Sequence, residues 1–221
     1  MGGAGMKIED GLWKQTLNWE GEPVLTVSLQ FPRLSEETAG QRRIARYYRQ
    51  AAEQWKARWT GPLFLRAQAA ARLAREQSRP FRPWEAALTY RLTVQSETLL
   101  SLYLDAYEFS GGAHGVTVRQ GDTWELPRGL PRSLASFFPP RFRWRRAVLE
   151  QVRAQIEARL ANGEAWFFED WRQRLPAAFD PEHFYCTQAG PAVFFPLYRI
   201  APYAEGIPVF PLSLPEEAAC R

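Results

Sequence analysis

Cysteine and histidine are nearly absent from this sequence: its 221 residues hold Cys186 and Cys220, His114 and His183, and no others of either type. Two cysteines exclude an all-thiolate zinc site and a disulfide-dense scaffold, and their positions do not say whether they pair. The two histidines are isolated, in neither a His-Glu-x-x-His nor a His-x-Glu frame, so no metal and no cofactor is expected. Lysine is scarce as well, with three (Lys7, Lys14, Lys56) against 25 arginines. Long apolar runs are lacking. The uncharged stretch 186–198 contains two prolines and is too short to span a bilayer, so no membrane segment is expected. The opening Met-Gly-Gly-Ala-Gly-Met-Lys-Ile-Glu-Asp has no apolar core of a leader and turns acidic at once. The expected compartment is therefore the cytoplasm for the chain as written, or an extracytoplasmic one if the chain is trimmed.

What is present points to a globular protein. A hydrophobic fraction of 46% and an aromatic fraction of 14% exclude disorder, and a net charge of +4 does not oppose collapse. The length suits one large domain or two small ones. Charge is unevenly placed: residues 33–82 carry twelve basic and four acidic side chains, a local net +8. Such a face attracts phosphate or anionic glycan, and it is also the ordinary pattern of a solvated helix.

The hydrophobic period changes along the chain in a way that places the elements. Leu25, Val27, Leu29 and Phe31 alternate with polar residues, and Trp13, Gln15, Leu17 and Trp19 share a face. With Glu20-Gly21-Glu22-Pro23 as the turn, residues 12–31 read as a hairpin that Pro32 ends. Ser35-Glu36-Glu37-Thr38 reads as a helix start with acidic residues in its first turn. Ile44, Tyr47, Tyr48, Ala51, Trp55 and Trp59 form one helical stripe. Gly61-Pro62 breaks it, and a second, alanine-rich helix runs to about Gln77. Leu88, Tyr90, Leu92 and Val94, then Leu100, Leu102, Leu104 and Ala106, predict a long antiparallel hairpin. A strand over 116–126, a short turn of helix over 133–138 and a helix over 142–160 stopped by Asn162-Gly163 follow. Trp166, Phe167, Trp171 and Leu175 suggest a short helix, and strands are expected at 184–187, 192–197 and 207–212. This order predicts an α+β fold with an antiparallel sheet and helices on one face. It divides into an N-terminal part, residues 1–110, and a C-terminal part, residues 111–221.

Chemistry is sparse. Ser110-Gly-Gly-Ala-His114-Gly115 is the most specific string. It is neither a P-loop nor a nucleophile elbow. Its glycines let backbone amides approach a ligand, with His114 as acid or base and Asp105, Glu108 or Asp122 orienting it; a hydrolase centred on His114 is the enzyme reading. The same glycines equally serve a turn with positive φ. Cys186 precedes an apolar strand and reads as a buried, inert thiol, with His183 three residues before it. Arg42-Arg43-Ile-Ala-Arg46-Tyr-Tyr-Arg49 and Arg141-Phe-Arg143-Trp-Arg145-Arg146 interleave cations with rings, a pattern that grips nucleic acid or another polyanion, although no nucleic-acid signature accompanies them. No complete catalytic constellation is visible, and no catalytic residue is assigned.

Three ordered strings carry a resemblance. Leu102-Tyr-Leu-Asp105-Ala-Tyr107-Glu-Phe-Ser-Gly111-Gly112-Ala-His114-Gly115 resembles the Tyr-Thr-Gly-Gly-Ala-His-Gly signature of the RsiV-type domain, with Phe109-Ser110 in place of Tyr-Thr. Asp122-Thr-Trp124-Glu-Leu126, Gly129 and Leu134-Ala-Ser-Phe137-Phe138 resemble its next strand and turn. Phe195-Pro-Leu-Tyr198-Arg-Ile200-Ala201-Pro202-Tyr203-Ala-Glu-Gly206 resembles its terminal Tyr-x-Ile-Ala-Pro-Tyr-Ala-x-Gly motif. The resemblance implies two small α+β parts and a non-catalytic binding module of Gram-positive bacteria. In that family such domains form lysozyme-binding ectodomains of an anti-sigma factor and precede some peptidoglycan deacetylase domains. The implied ligand is a protein, lysozyme first, or a cell-wall glycan such as peptidoglycan fragments. Tyr107, Phe109, Gly111, Gly112, His114, Gly115, Tyr198 and Tyr203 are the expected ligand-binding residues.

Overall fold

The computed structural model of the chain describes residues 6–215. A sheet of order β1-β2-β3-β4-β5-β6 is built from Ile8–Trp19, Glu22–Leu34, Trp84–Gln95, Leu99–Phe109, Val116–Glu125 and Leu130–Pro131. A second sheet of order β7-β8-β9 uses Phe184–Thr187, Gly190–Phe194 and Val209–Pro211. The helices are α1 (Ala39–Arg58), α2 (Phe64–Glu76), α3 (Trp144–Ala161) and α4 (Trp171–Ala178). The α+β expectation is met. The large sheet is mixed, however, because β2 and β3 run parallel from Leu25↔Trp84 to Leu29↔Leu88. Parallel neighbours need a long crossover, and α1 with α2 supplies it. No described helix is long and apolar enough to cross a membrane.

Contacts divide the chain into two compact units that interleave in sequence. The first takes in the chain to Arg91, with Leu104–Val118 and Leu126–Gly129. The second takes in Leu92–Tyr103, Arg119–Glu125 and the chain from Leu130 onward. Strands β3, β4 and β5 thus contribute residues to both.

In the first unit, β1 and β2 are joined by two residues, Glu20 and Gly21, with φ of 49° and 87°. Positive φ at both positions gives the twist a tight hairpin needs. Strand β2 continues through Pro32 to Leu34, beyond the expected end. Its pairing with β3 stops at Leu29, so the N–H that Pro32 lacks falls where only β1 is alongside. The edge strand β1 carries Gly11, and the Phe31 ring lies where its Cβ would be, 2.6 Å from the Cζ. Helix α1 is started by a capping box: the Thr38 hydroxyl accepts from the Gln41 amide at 3.1 Å, and Gln41 Oε1 accepts from the Thr38 amide at 3.1 Å. Glu36 and Glu37 precede this cap instead of occupying the first turn. Ile44, Tyr48, Ala52 and Trp59 are buried, and α1 packs on β2, whose Val24, Leu25, Val27 and Leu29 are buried. Gly61-Pro62 does not break the helix. A π-helical turn, Trp59–Leu63, carries the chain into α2, because widening the hydrogen-bond register accommodates the ring and missing N–H of Pro62.

The second unit has its own core. Val148, Val152 and Ile156 of α3 and Trp171 and Leu175 of α4 are buried with Phe184, Cys186, Val193, Phe195, Ile200 and Phe210. Fully burying one such side chain is worth roughly 1.5–3 kcal/mol. Helix α3 ends at Ala161 and is capped by Asn162, with Gly163 at φ 65° and the Glu164 amide bonded to the Arg159 carbonyl. The expected short helix starts only at Trp171, leaving Trp166 outside it.

Candidate functional site

The expected ligand-binding residues fall into two groups, one in each unit. In the first unit β4 ends at Phe109 and β5 begins at Val116, and the exposed loop between them is the glycine string. Gly111 and Gly112 take φ of 88° and 92°, a region that side chains with a Cβ avoid. The indole of Trp84 lies beneath the turn, its Nε1 3.7 Å from the place of a Cβ on Gly111. Gly115 is needed for a different reason. It is buried under the Tyr107 ring, and a Cβ there would land on Cε2 and Cζ and 2.5 Å from the hydroxyl oxygen. His114 is exposed, with Nδ1 3.1 Å from the Gly115 carbonyl. A carbonyl only accepts, so in this bond Nδ1 carries the hydrogen.

Phe109 is buried, not presented to solvent, and the Arg82 guanidinium lies 4.4 Å over its ring. Arg66 lies 5.7 Å over the Trp84 ring. Glu108 is engaged by α1 and the turn after it: one carboxylate oxygen accepts from Trp59 Nε1 at 2.7 Å and from Arg58 Nε at 3.0 Å. That carboxylate is therefore committed within the unit and does not stand ready to orient His114. Trp84, Arg66 and Arg82 were not among the expected site residues. Their only trace in the sequence is a basic, aromatic stretch resembling several others.

In the second unit Tyr198 and Tyr203 face each other with ring centroids 5.8 Å apart. Tyr198 is 47% exposed and has φ 63°, a conformation costing a bulky residue about 1–3 kcal/mol. Its neighbours Ile200 and Ala201 are buried in the core and fix the segment. Trp166, 70% exposed, belongs to the same surroundings: its amide donates to Glu205 Oε1 at 2.8 Å, and the Phe168 amide donates to the Ile200 carbonyl at 3.1 Å. An indole so exposed is a better ligand contact than Phe109, and sequence period alone assigned it to a helix.

A buried polar node sits in this unit as well. Ser101 Oγ accepts from the Cys186 amide at 2.8 Å, lies 2.9 Å from Thr123 Oγ1 and donates to the Asp122 carbonyl at 3.0 Å. Cys186 is unbridged and buried, and burial pushes its thiol up to about 11. A thiol so shifted is a poor nucleophile at neutral pH. His183 does not activate it; its ring stacks on Phe194 at 5.1 Å, with Nε2 3.9 Å from Asp180. Cys220 lies outside the described residues.

Two other surfaces bear on the chemistry. Three arginines of α1 bind the protein itself: Arg42 donates to the Glu36 and Glu37 carbonyls, Arg43 to the Arg128 carbonyl and Arg49 to the Glu36 carboxylate. A groove of about 360 Å³ is lined by Leu12, Phe31, Pro32, Ala45, Arg49 and Glu53 among others, and none of the expected site residues lines it. Among the described residues no group of three or more His, Cys, Asp or Glu is placed to hold a metal ion.

Comparison with known proteins bears on both parts of the chain. Residues 20–117 match the family described as deacetylase PdaC. Residues 135–214 match the family described as protein of unknown function DUF3298. A solved DUF3298 family member from Bacteroides fragilis superposes with a TM-score of 0.68 at 14% identity, over 94% of this chain and 90% of its own. A DUF3298 family protein from Pseudomonas aeruginosa superposes with a TM-score of 0.63 at 19% identity, over 93% of this chain and 89% of its own. At these identities the likeness speaks for the fold alone. No curated protein matches the chain in sequence.

Proposed function

We propose that the chain, matched over residues 20–117 by the PdaC family and over residues 135–214 by the DUF3298 family, is a non-catalytic binding module of the RsiV type whose ligand is a protein, lysozyme first, or a cell-wall glycan. The observation that carries this reading is Tyr198. An exposed tyrosine held at positive φ against Tyr203 presents part of its ring to solvent in spite of the conformational cost. Tyrosine and tryptophan are the residues that most often dominate binding surfaces, and Trp166 lies on the adjoining segment. The reading of His114 as the centre of a hydrolase has less support, since Glu108 is held by Arg58 and Trp59.

Calorimetric titration at about 0.15 M salt tests the proposal, with lysozyme in one arm and soluble peptidoglycan fragments in the other. Saturable heat is expected in one arm, weakened tenfold or more by Tyr198→Ala, the scale of a contact worth about 1.4 kcal/mol. Flat heats in both arms at two temperatures, or full affinity in Tyr198→Ala, would overturn it.

A further inference from the structure

We propose that the exposed glycine loop 110–113, together with Arg66 and Arg82, binds an oxyanion, namely a carboxylate carried on a glycan ligand. The inference rests on the binding-module reading and commits to its glycan arm, the carboxylate being the group the site would read.

It begins with how the arginines are held. Most cations that lie over rings in this protein have a second partner. Arg58 has Glu108, Arg75 has Glu20, Arg172 has Glu157 and Arg174 has Asp170, while Arg159 donates to the Val209 carbonyl. Arg66 and Arg82, like Arg145 over Trp144, differ: among the described residues none of the three has a carboxylate within ion-pair distance, and a ring lies under each guanidinium. Their forks of N–H donors remain available, and a guanidinium fork matches a carboxylate in a bidentate pair.

The rings under Arg66 and Arg82 are those that border the loop. Phe109, under Arg82, is the residue immediately before Ser110, and Trp84, under Arg66, lies beneath Gly111. Two different elements, α2 and the connection before β3, thus place a cation over each of the two rings that adjoin this segment. That segment is suited to an anion. Gly111 and Gly112 have no side chain to block approach, and among the described residues the amides of Gly111, Gly112 and Ala113 have no acceptor. Oriented, open backbone amides and guanidinium groups together make a site for an oxyanion. The net +8 of residues 33–82 adds a field that draws an anion to this unit.

The test compares three probes on the full chain by calorimetry, with thermal denaturation as the folding control. A disaccharide-peptide fragment of peptidoglycan carries carboxylates, chitohexaose offers related N-acetylated sugars without them, and inorganic phosphate is a free oxyanion. The expected result is that R66Q/R82Q weakens the carboxylate-bearing fragment at least tenfold, leaves chitohexaose unchanged, and folds like the wild type. R66K/R82K, which keeps charge but loses the fork, should fall between. If the fragment binds the wild type and R66Q/R82Q equally, the inference is overturned while the binding-module reading stands. If phosphate binds and the fragment does not, the assignment to a glycan is overturned. If chitohexaose and the fragment bind equally well and lose affinity together in R66Q/R82Q, the carboxylate is not what the site reads.

Discussion

Gly115→Ala should destabilise the protein through one identifiable collision, and removing the partner in that collision should restore it. Gly115 is not among the glycines at positive φ, so its backbone conformation suits alanine and the cost is steric alone. The added Cβ would fall on the face of the Tyr107 ring, 2.5 Å from the hydroxyl oxygen, where ordinary contact begins near 3.4 Å. Ring or strand must move by about an ångström, and overpacking of that kind costs typically 1–3 kcal/mol. For a chain of this length that is a loss of roughly 2–4 °C in Tm per kcal/mol. In a Tyr107→Ala background the space is open and the same substitution should cost close to nothing, giving a coupling energy of about 1–3 kcal/mol in a double-mutant cycle. Urea denaturation of the four proteins measures it. Equal losses from Gly115→Ala with and without Tyr107 would refute the reasoning, because the glycine would then be serving the backbone and not the ring.

Two further outcomes follow from the buried node of the second unit. Ser101→Ala removes the acceptor of the Cys186 amide and the hydroxyl donor to the Asp122 carbonyl in a buried site, and should lower stability by about 1–3 kcal/mol in urea denaturation. In a Cys220→Ser background, Ellman's reagent at pH 8 should label Cys186 only as fast as the protein opens, since burial holds the thiol near 11 against an ordinary 9. The native state thus binds this proton more tightly than the unfolded chain. Its contribution to stability is complete below about pH 9 and lost as pH rises toward 11; prompt labelling of the native protein at pH 8 would contradict it.

Much of the fold is legible in the sequence because burial period is a local property. The alternation at Leu25, Val27 and Leu29 and the stripe through Ile44, Tyr48 and Trp59 mark the buried faces that the structure shows. What period does not encode is partnership. Nothing at Leu25 or Trp84 announces that their strands run parallel, since that follows from a crossover whose path only the packed helices define. Proline misleads for a related reason. Pro32 and Pro62 each remove one N–H, and whether that ends an element depends on a neighbour alongside or a register that can widen. Trp166 shares the spacing of the helix that starts at Trp171, but spacing of apolar residues carries no information on exposure ahead of the first helical turn.

The glycine string was legible as a site for the same reason it is hard to interpret: its residues answer to three different demands. Gly115 answers to a ring, Gly111 and Gly112 answer to backbone conformation, and Phe109 answers to burial under Arg82. Only the middle pair leaves an exposed surface that a turn by itself does not require to be bordered by cations. A loop needs glycine to turn; it does not need two arginines, from different elements, held by rings on its borders and lacking carboxylates of their own. If the loop served only to connect β4 to β5, Arg66 and Arg82 would be interchangeable with glutamine at no cost beyond the stacking each loses, a few tenths to about 1 kcal/mol in stability at an exposed site. A large loss of ligand affinity with so small a loss of stability is the signature that separates a binding loop from a connecting one.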